Sequence, residues 1–115
     1  MPTFKVVISD PKTGKAQQVE VKGGKAQALI GLKIGDTIDG GLVGLPGKKL
    51  MITGGSGKAG EPMRPDVQGG VKKRLLLAGP PGYHPPKEGM RKRKLIRGNT
   101  ITEDIVQINT KIIYE

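Results

Sequence analysis

The sequence predicts an all-β protein, mainly a small antiparallel β-barrel with one short helix and long basic loops rich in Gly and Pro. Its 115 residues fit a single domain, residues 1–115, with a small core, because only 35% of them are hydrophobic. The 19 Gly and 9 Pro interrupt the chain too often for long helices. Short strands at close spacing favour a barrel, since closure removes the exposed edges of a sheet.

The N-terminal segment is typical of a β-hairpin. Phe4, Val6 and Ile8 alternate with other residues at the period of two expected for a half-buried strand. Residues 10–14 hold a Pro and a Gly at positions that favour a turn, and residues 18–22 alternate again as the returning strand. Residues 26–30 can form one or two helical turns before Gly31 ends them.

The remaining elements are short strands separated by Gly and Pro. Residues 49–53 are expected to form a central strand, followed by a Gly-rich loop over residues 54–70 and a strand over residues 71–78. Residues 79–86 contain four prolines and cannot lie inside a sheet. Residues 104–114 give the clearest strand pattern, with one apolar face formed by Val106, Ile108, Ile112 and Tyr114.

The positive charge is concentrated in one part of the chain. The formal net charge is +10, and between Lys48 and Arg97 there are 13 basic residues against 3 acidic ones, whereas elsewhere 7 face 7. A basic loop region over residues 54–98 therefore indicates a polyanionic partner. The alternatives are a solvated basic face and binding to an acidic membrane surface. The second is disfavoured because the chain has no amphipathic basic helix. Nucleic acid is the favoured partner.

Several classes of protein are disfavoured by what the chain lacks. It has no Cys and a single His, His84, so neither a metal cluster nor a catalytic triad is expected. Residues 55–60 match G-x-G-x-x-G, but Pro62 and Pro65 follow where a dinucleotide site needs a helix, so no cofactor is expected. We predict no enzyme, no small-molecule substrate, no membrane span and no signal peptide, which indicates an intracellular protein.

Candidate RNA-binding residues come from three basic segments. Lys58 and Arg64 lie in the Gly-rich loop, and residues 72–74 lie where a strand reaches the barrel rim. Residues 91–94 would carry charge on both faces of a strand, so this segment must project from the body or run along its edge. A nuclear-localisation signal is the competing interpretation of that run. The full candidate set is Lys58, Arg64, Lys72, Lys73, Arg74, Tyr83, Arg91, Lys92, Arg93, Lys94 and Arg97.

Aromatic stacking is a poor candidate for the main binding mode, because the chain has only three aromatic residues. Phe4 and Tyr114 lie on predicted strand faces and are expected in the core. Tyr83 lies in the proline-rich loop, where it either contacts a base or ribose or packs against the barrel. An RNA-recognition sheet with stacked aromatics is therefore excluded.

Several ordered motifs resemble one family. The chain is similar to the e-type ribosomal protein S-six family of the small subunit in archaea and eukaryotes, and to its archaeal members especially. The matching segments are Ile52-Thr53-Gly54-Gly55-Ser56-Gly57-Lys58-Ala59-Gly60-Glu61-Pro62-Met63, Arg74-Leu75-Leu76-Leu77, Gly82-Tyr83, Gly89 with Arg91-Lys92-Arg93-Lys94, Arg97-Gly98 and Asp104-Ile105-Val106-Gln107-Ile108-Asn109.

The resemblance implies a structural constituent of the small ribosomal subunit, in the cytoplasm, that binds ribosomal RNA beside neighbouring ribosomal proteins. Glu61 stands where the family usually has Phe, so the apolar contact expected there is missing or replaced. The chain stops at Glu115, without the basic C-terminal helix of eukaryotic members, which is expected of a short archaeal form. The alternative is a free-standing nucleic-acid-binding barrel of the RNA-chaperone or chromatin type.

Overall fold

The structure, a computed structural model, describes residues 3–77 and 92–114, with backbone only for residues 75–77 and 92. These ranges contain one α-helix, one 3-10 helix and seven strands. The α-helix α1 is Gly23–Gln27 and the 3-10 helix is Gly40–Val43. The strands are β1 (Thr3–Asp10), β2 (Lys15–Lys22), β3 (Thr37–Asp39), β4 (Lys49–Gly57), β5 (Lys72–Leu77), β6 (Lys92–Arg97) and β7 (Ile105–Ile113).

The strands form two sheets rather than a barrel. Five of them lie in the order β2-β1-β7-β4-β3, and β5 pairs with β6 in a separate antiparallel pair that we call the basic ribbon. The prediction of a mainly β protein with one short helix is confirmed. The closed antiparallel barrel is not: in the described residues β2 and β3 remain the two edges of an open sheet, and β1 pairs with β7 in parallel.

Two features explain why closure fails. The β3 strand is only three residues long, and β5 and β6 pair with each other rather than with β2 or β3, so neither supplies a closing strand. The chain instead covers the open side with α1 and the 3-10 helix, which both approach β2. Alternation along β1 and β7 indicated that each was a strand, but it carries no information about the relative direction of the pair.

The core lies on one face of the five-stranded sheet. Phe4, Val6 and Ile8 are buried there as their alternation predicts, against Leu50 and Ile52 of β4. The predicted turn over residues 10–14 is also present: the amide of Gly14 donates to the carbonyl of Asp10 at 2.8 Å. Gly14 has a φ of 72°, which favours glycine there.

Three predicted elements differ in detail. The helix begins at Gly23 rather than at residue 26, and β4 extends four residues into the predicted loop. A side chain at Gly55 would collide with the backbone carbonyl of Gln107, so glycine allows this close pairing of β4 with β7. On β7, Ile105 rather than Val106 is buried, because a register shift pairs Gly57 with Ile105.

Candidate nucleic-acid interface

The glycine motif over residues 55–60 forms a tight hairpin. The amide of Gly57 donates to the carbonyl of Glu61 at 2.9 Å, and the amide of Gly60 donates to the carbonyl of Gly57 at 3.0 Å. Gly60 has a φ of 81°, as expected where a three-residue hairpin loop closes through a left-handed residue. Lys58 and Ala59 are exposed at its tip. The spacing of the glycines therefore follows from hairpin geometry, and no helix begins after the motif.

The segment that follows the hairpin joins the basic ribbon to the large sheet. The amide of Met63 donates to the carbonyl of Gly55 in β4 at 3.0 Å, and the amide of Arg97 in β6 donates to the carbonyl of Pro62 at 2.7 Å. The amide of Arg64 then donates to the carbonyl of Arg97 at 2.9 Å. Residues 62–64 thus lie between β4 and β6 and fix the base of the ribbon.

A buried ion pair lies at the same junction. Arg97 Nε donates to Glu61 Oε1 at 2.8 Å, and the two residues are only 5% and 3% exposed. Burial alone would raise the pKa of Glu61, but the hydrogen bond and positive charge of Arg97, with smaller contributions from a backbone hydrogen bond and from Lys72, hold that pKa below its ordinary value. Glu61 Oε2 is buried with no hydrogen-bond partner among the described residues. The apolar contact expected at position 61 is thus replaced by an ion pair.

Gly57 is the residue that makes room for this pair. A Cβ atom at Gly57 would collide with Glu61 Oε1 and Arg97 Nε, whereas one at Gly54 would meet only Asn109 Nδ2 at 3.9 Å. We expect Gly57→Ala to lower the free energy of unfolding by about 1–3 kcal/mol through overpacking. The matched Gly54→Ala variant should change it by less than about 0.5 kcal/mol. Urea unfolding of both variants measures these changes. Equal losses of stability would contradict a steric role of Gly57 beside Glu61 and Arg97.

The basic ribbon presents cations on both of its faces. Its register pairs Lys72 with Arg97, Lys73 with Ile96 and Arg74 with Leu95. Because paired residues share a face and neighbours alternate, Lys72, Arg74 and Arg93 lie on a first face and Lys73 and Lys94 on a second. Lys94 is half-buried and the other four are exposed. The structure thus brings these five predicted residues together on one short ribbon, whose β6 strand also contains Lys92 and Arg97.

A hollow of about 430 Å³ connects the hairpin tip with the base of the ribbon. Lys58, Lys72 and Arg97 line it together with Asp104. Asp104 lies 3.7 Å from Lys58 Nζ and 3.7 Å from an Arg97 terminal nitrogen, too far for hydrogen bonds. The Asp104 side chain is 61% exposed, so it is a weak, solvated counter-charge to Lys58, which is itself exposed.

Two of the candidate RNA-binding residues, Arg64 and Arg97, are largely buried and are paired with carboxylates of the protein itself. The Arg64 side chain is 15% exposed and donates from Nε to Asp66 Oδ1 at 3.0 Å, a hydrogen bond that lowers the pKa of Asp66. Arg97 is buried against Glu61, so its main contacts are with the protein itself. Sequence reasoning missed Glu61 as this partner, although an acidic residue in an expected apolar position was the available signal.

Some of the predictions lie outside the described residues. Tyr83, His84 and Arg91 are in residues 78–91, and for Lys92 only the backbone is described. In the parts of the chain that the structure covers, no group of three potential metal-ligating His, Cys, Asp or Glu side chains occurs. Over the same ranges, no helix has the length and apolar character needed to cross a bilayer.

The fold and its surface define a class: a basic, open β-sheet protein whose charged ribbon suits a polyanionic partner. Comparison with known families then gives the particular assignment. The profile of the ribosomal protein S6e family matches residues 4–115, and the chain belongs to this family. Family membership confirms the predicted resemblance, identifies a structural ribosomal protein rather than an enzyme, and gives its location as the cytoplasmic ribosome.

Relatives of the chain include archaeal proteins named small ribosomal subunit protein eS6. The one from Pyrobaculum aerophilum is 60% identical over 119 aligned residues, covering 99% of this chain and 80% of the relative. The one from Caldivirga maquilingensis is 54% identical, with 99% and 79% covered. The one from Hyperthermus butylicus is 64% identical over 100 residues, which cover 87% of this chain but only 46% of the relative.

Proposed function

We propose that this protein is a structural constituent of the small ribosomal subunit and binds small-subunit ribosomal RNA through the basic ribbon and the adjacent hairpin tip. The observation that carries the proposal is the ribbon itself. Its twelve residues, KKRLLL and KRKLIR, include seven Lys or Arg and no Asp or Glu. Like charges at this density repel one another unless an anion neutralises them, and an RNA backbone supplies such charges at regular intervals.

Binding is expected to depend mainly on phosphate contacts. Each Lys or Arg that neutralises a phosphate releases condensed counterions, which makes the affinity strongly dependent on salt. The cations proposed to make these contacts are Lys58, Lys72, Lys73, Arg74, Arg93 and Lys94, while Tyr83, Arg91 and Lys92 stay predictions from the sequence. Selection among RNA sites then depends on backbone shape and 2′-hydroxyls rather than on base identity.

Arg97 and Arg64 are proposed to act differently. Arg97 has its guanidinium held by Glu61, and the backbones of both arginines fix residues 62–64 to β6. They therefore position the ribbon and the hairpin relative to the sheet. We also propose that the protein contacts neighbouring ribosomal proteins. The relatives' names support this, because they place those relatives in the small ribosomal subunit.

Sedimentation of the tagged protein from native lysate tests this proposal. We expect it to co-sediment with small ribosomal subunits at moderate salt, and a variant with Lys72, Arg74, Arg93 and Lys94 all changed to Gln to shift to the light fractions. The matched control changes four exposed lysines elsewhere: Lys5, Lys15, Lys25 and Lys111. Wild-type protein found only in light fractions would instead support the free-standing nucleic-acid binder.

A further inference from the structure

We infer that the two faces of the basic ribbon bind two separate phosphate backbones, so that the protein bridges two RNA segments. The inference rests on the proposed function and specifies how that interface is used. Lys72, Arg74 and Arg93 bind one backbone on the first face, and Lys73 and Lys94 bind the other on the second face.

Both faces are available in the described part of the molecule. The β5 and β6 strands pack extensively only on each other and not on the strands of the large sheet. Only the base is embedded, where Ile96 and Arg97 are buried. Lys73, which pairs with Ile96, is nevertheless exposed, as are Arg74 and Arg93 farther along. The second face contributes Ile96 to the core at its base, but Lys73 and Lys94 on the same face are cations and not apolar residues.

The thickness of the ribbon separates the two sets of cations. Side chains on opposite faces of a strand point in opposite directions, and layers packed on a sheet lie about 10 Å from it. Phosphates bound on the two faces are therefore separated by more than that spacing. Consecutive phosphates of a single strand cannot occupy both faces, because the ribbon lies between them.

A single regular RNA duplex is a poor match for this arrangement. Its major groove is deep and too narrow to admit side chains. Its minor groove is wide and shallow, so this groove can contact a protein surface but cannot enclose a ribbon. The B-DNA major groove, by contrast, admits a two-stranded β-ribbon. The geometry thus favours two RNA helices that lie side by side, with the ribbon between their backbones.

Energy transfer between two labelled RNA duplexes tests the inference. One 20-base-pair duplex carries a donor dye and a second carries an acceptor, and the full chain is added at low salt. We expect transfer with the wild-type protein. It should fall at least about tenfold with Arg74→Gln plus Arg93→Gln, and equally with Lys73→Gln plus Lys94→Gln. Each pair should still bind one duplex, which anisotropy measures, through the face left intact.

The controls separate bridging from other causes. Lys5→Gln plus Lys25→Gln removes the same charge at exposed positions in β1 and α1, outside the ribbon, and should leave the transfer unchanged. Sedimentation velocity should show one protein per complex, since bridging by a protein dimer would overturn the inference. Retained transfer in either ribbon pair would also overturn it. If the wild type binds duplexes without bridging them, this inference fails and the proposed function stands; if it binds no RNA, both fail.

Discussion

Arg97→Leu is expected to lower the free energy of unfolding by about 3–5 kcal/mol, as removal of one partner from a buried ion pair does. Glu61 is 3% exposed, and its Oε1 would lose the hydrogen bond that Arg97 Nε donates at 2.8 Å. Its Oε2 already has no partner in the described residues. The carboxylate would then be buried without compensation. Urea denaturation of the wild type and the variant at neutral pH measures this loss of stability, provided that the two proteins have the same m-value.

The double variant Arg97→Leu, Glu61→Leu is the matched control. Replacement of both charges by apolar side chains removes the uncompensated carboxylate, so most of the lost stability should return. A double variant no more stable than the single one would show that Arg97 acts through packing and not through Glu61.

The effect should also depend on pH. The pKa of Glu61 is lowered in the folded protein, so its contribution is present above the ordinary glutamate value of 4.5 and is lost as the pH falls through the folded-state pKa. Without Arg97, burial raises that pKa instead. Protonation of Glu61 at acidic pH then removes the uncompensated charge and restores part of the variant's stability. The stability gap between wild type and Arg97→Leu should therefore narrow on acidification, and a gap independent of pH would contradict this origin.

Removal of four ribbon charges is expected to weaken RNA binding on the order of 10³-fold at about 0.1 M salt. The variant changes Lys72, Arg74, Arg93 and Lys94 to Gln, and the probe is a fragment of small-subunit ribosomal RNA. Because the variant would neutralise about four fewer phosphates, the slope of log K against log salt should fall by roughly 3 to 4. Fluorescence anisotropy over a salt series gives both quantities.

The matched variant of Lys5, Lys15, Lys25 and Lys111 carries the same net charge, so it separates local contacts from the general field of the protein. It should keep the wild-type slope, with a modest loss of affinity from the lower net charge. Equal slopes in the two variants would remove the ribbon from the interface. Thermal unfolding should be close to wild type in both, because the substituted side chains lie outside the core.

The sequence alone determined most of the local structure and the family, and it predicted the class of partner. The alternation of Phe4, Val6 and Ile8 predicted β1 because a half-buried strand has a period of two, and the charge between Lys48 and Arg97 predicted a polyanion. The motifs around residues 52–63 were specific enough to indicate the family. The strand and family predictions succeed because periodicity and motifs depend on residues close together in the chain, whereas the polyanionic partner stays a prediction.

Only the tertiary structure decided how the strands pair and which cations are exposed. The open sheet depends on the short β3 and on β5 pairing with β6, and neither a strand's partner nor its direction is encoded in local alternation. The buried pair of Glu61 and Arg97 joins residues 36 positions apart, so sequence reasoning grouped Arg97 with the surface cations. Burial, and with it the function of a charged side chain, is a property of the contacts that the whole chain makes when it folds.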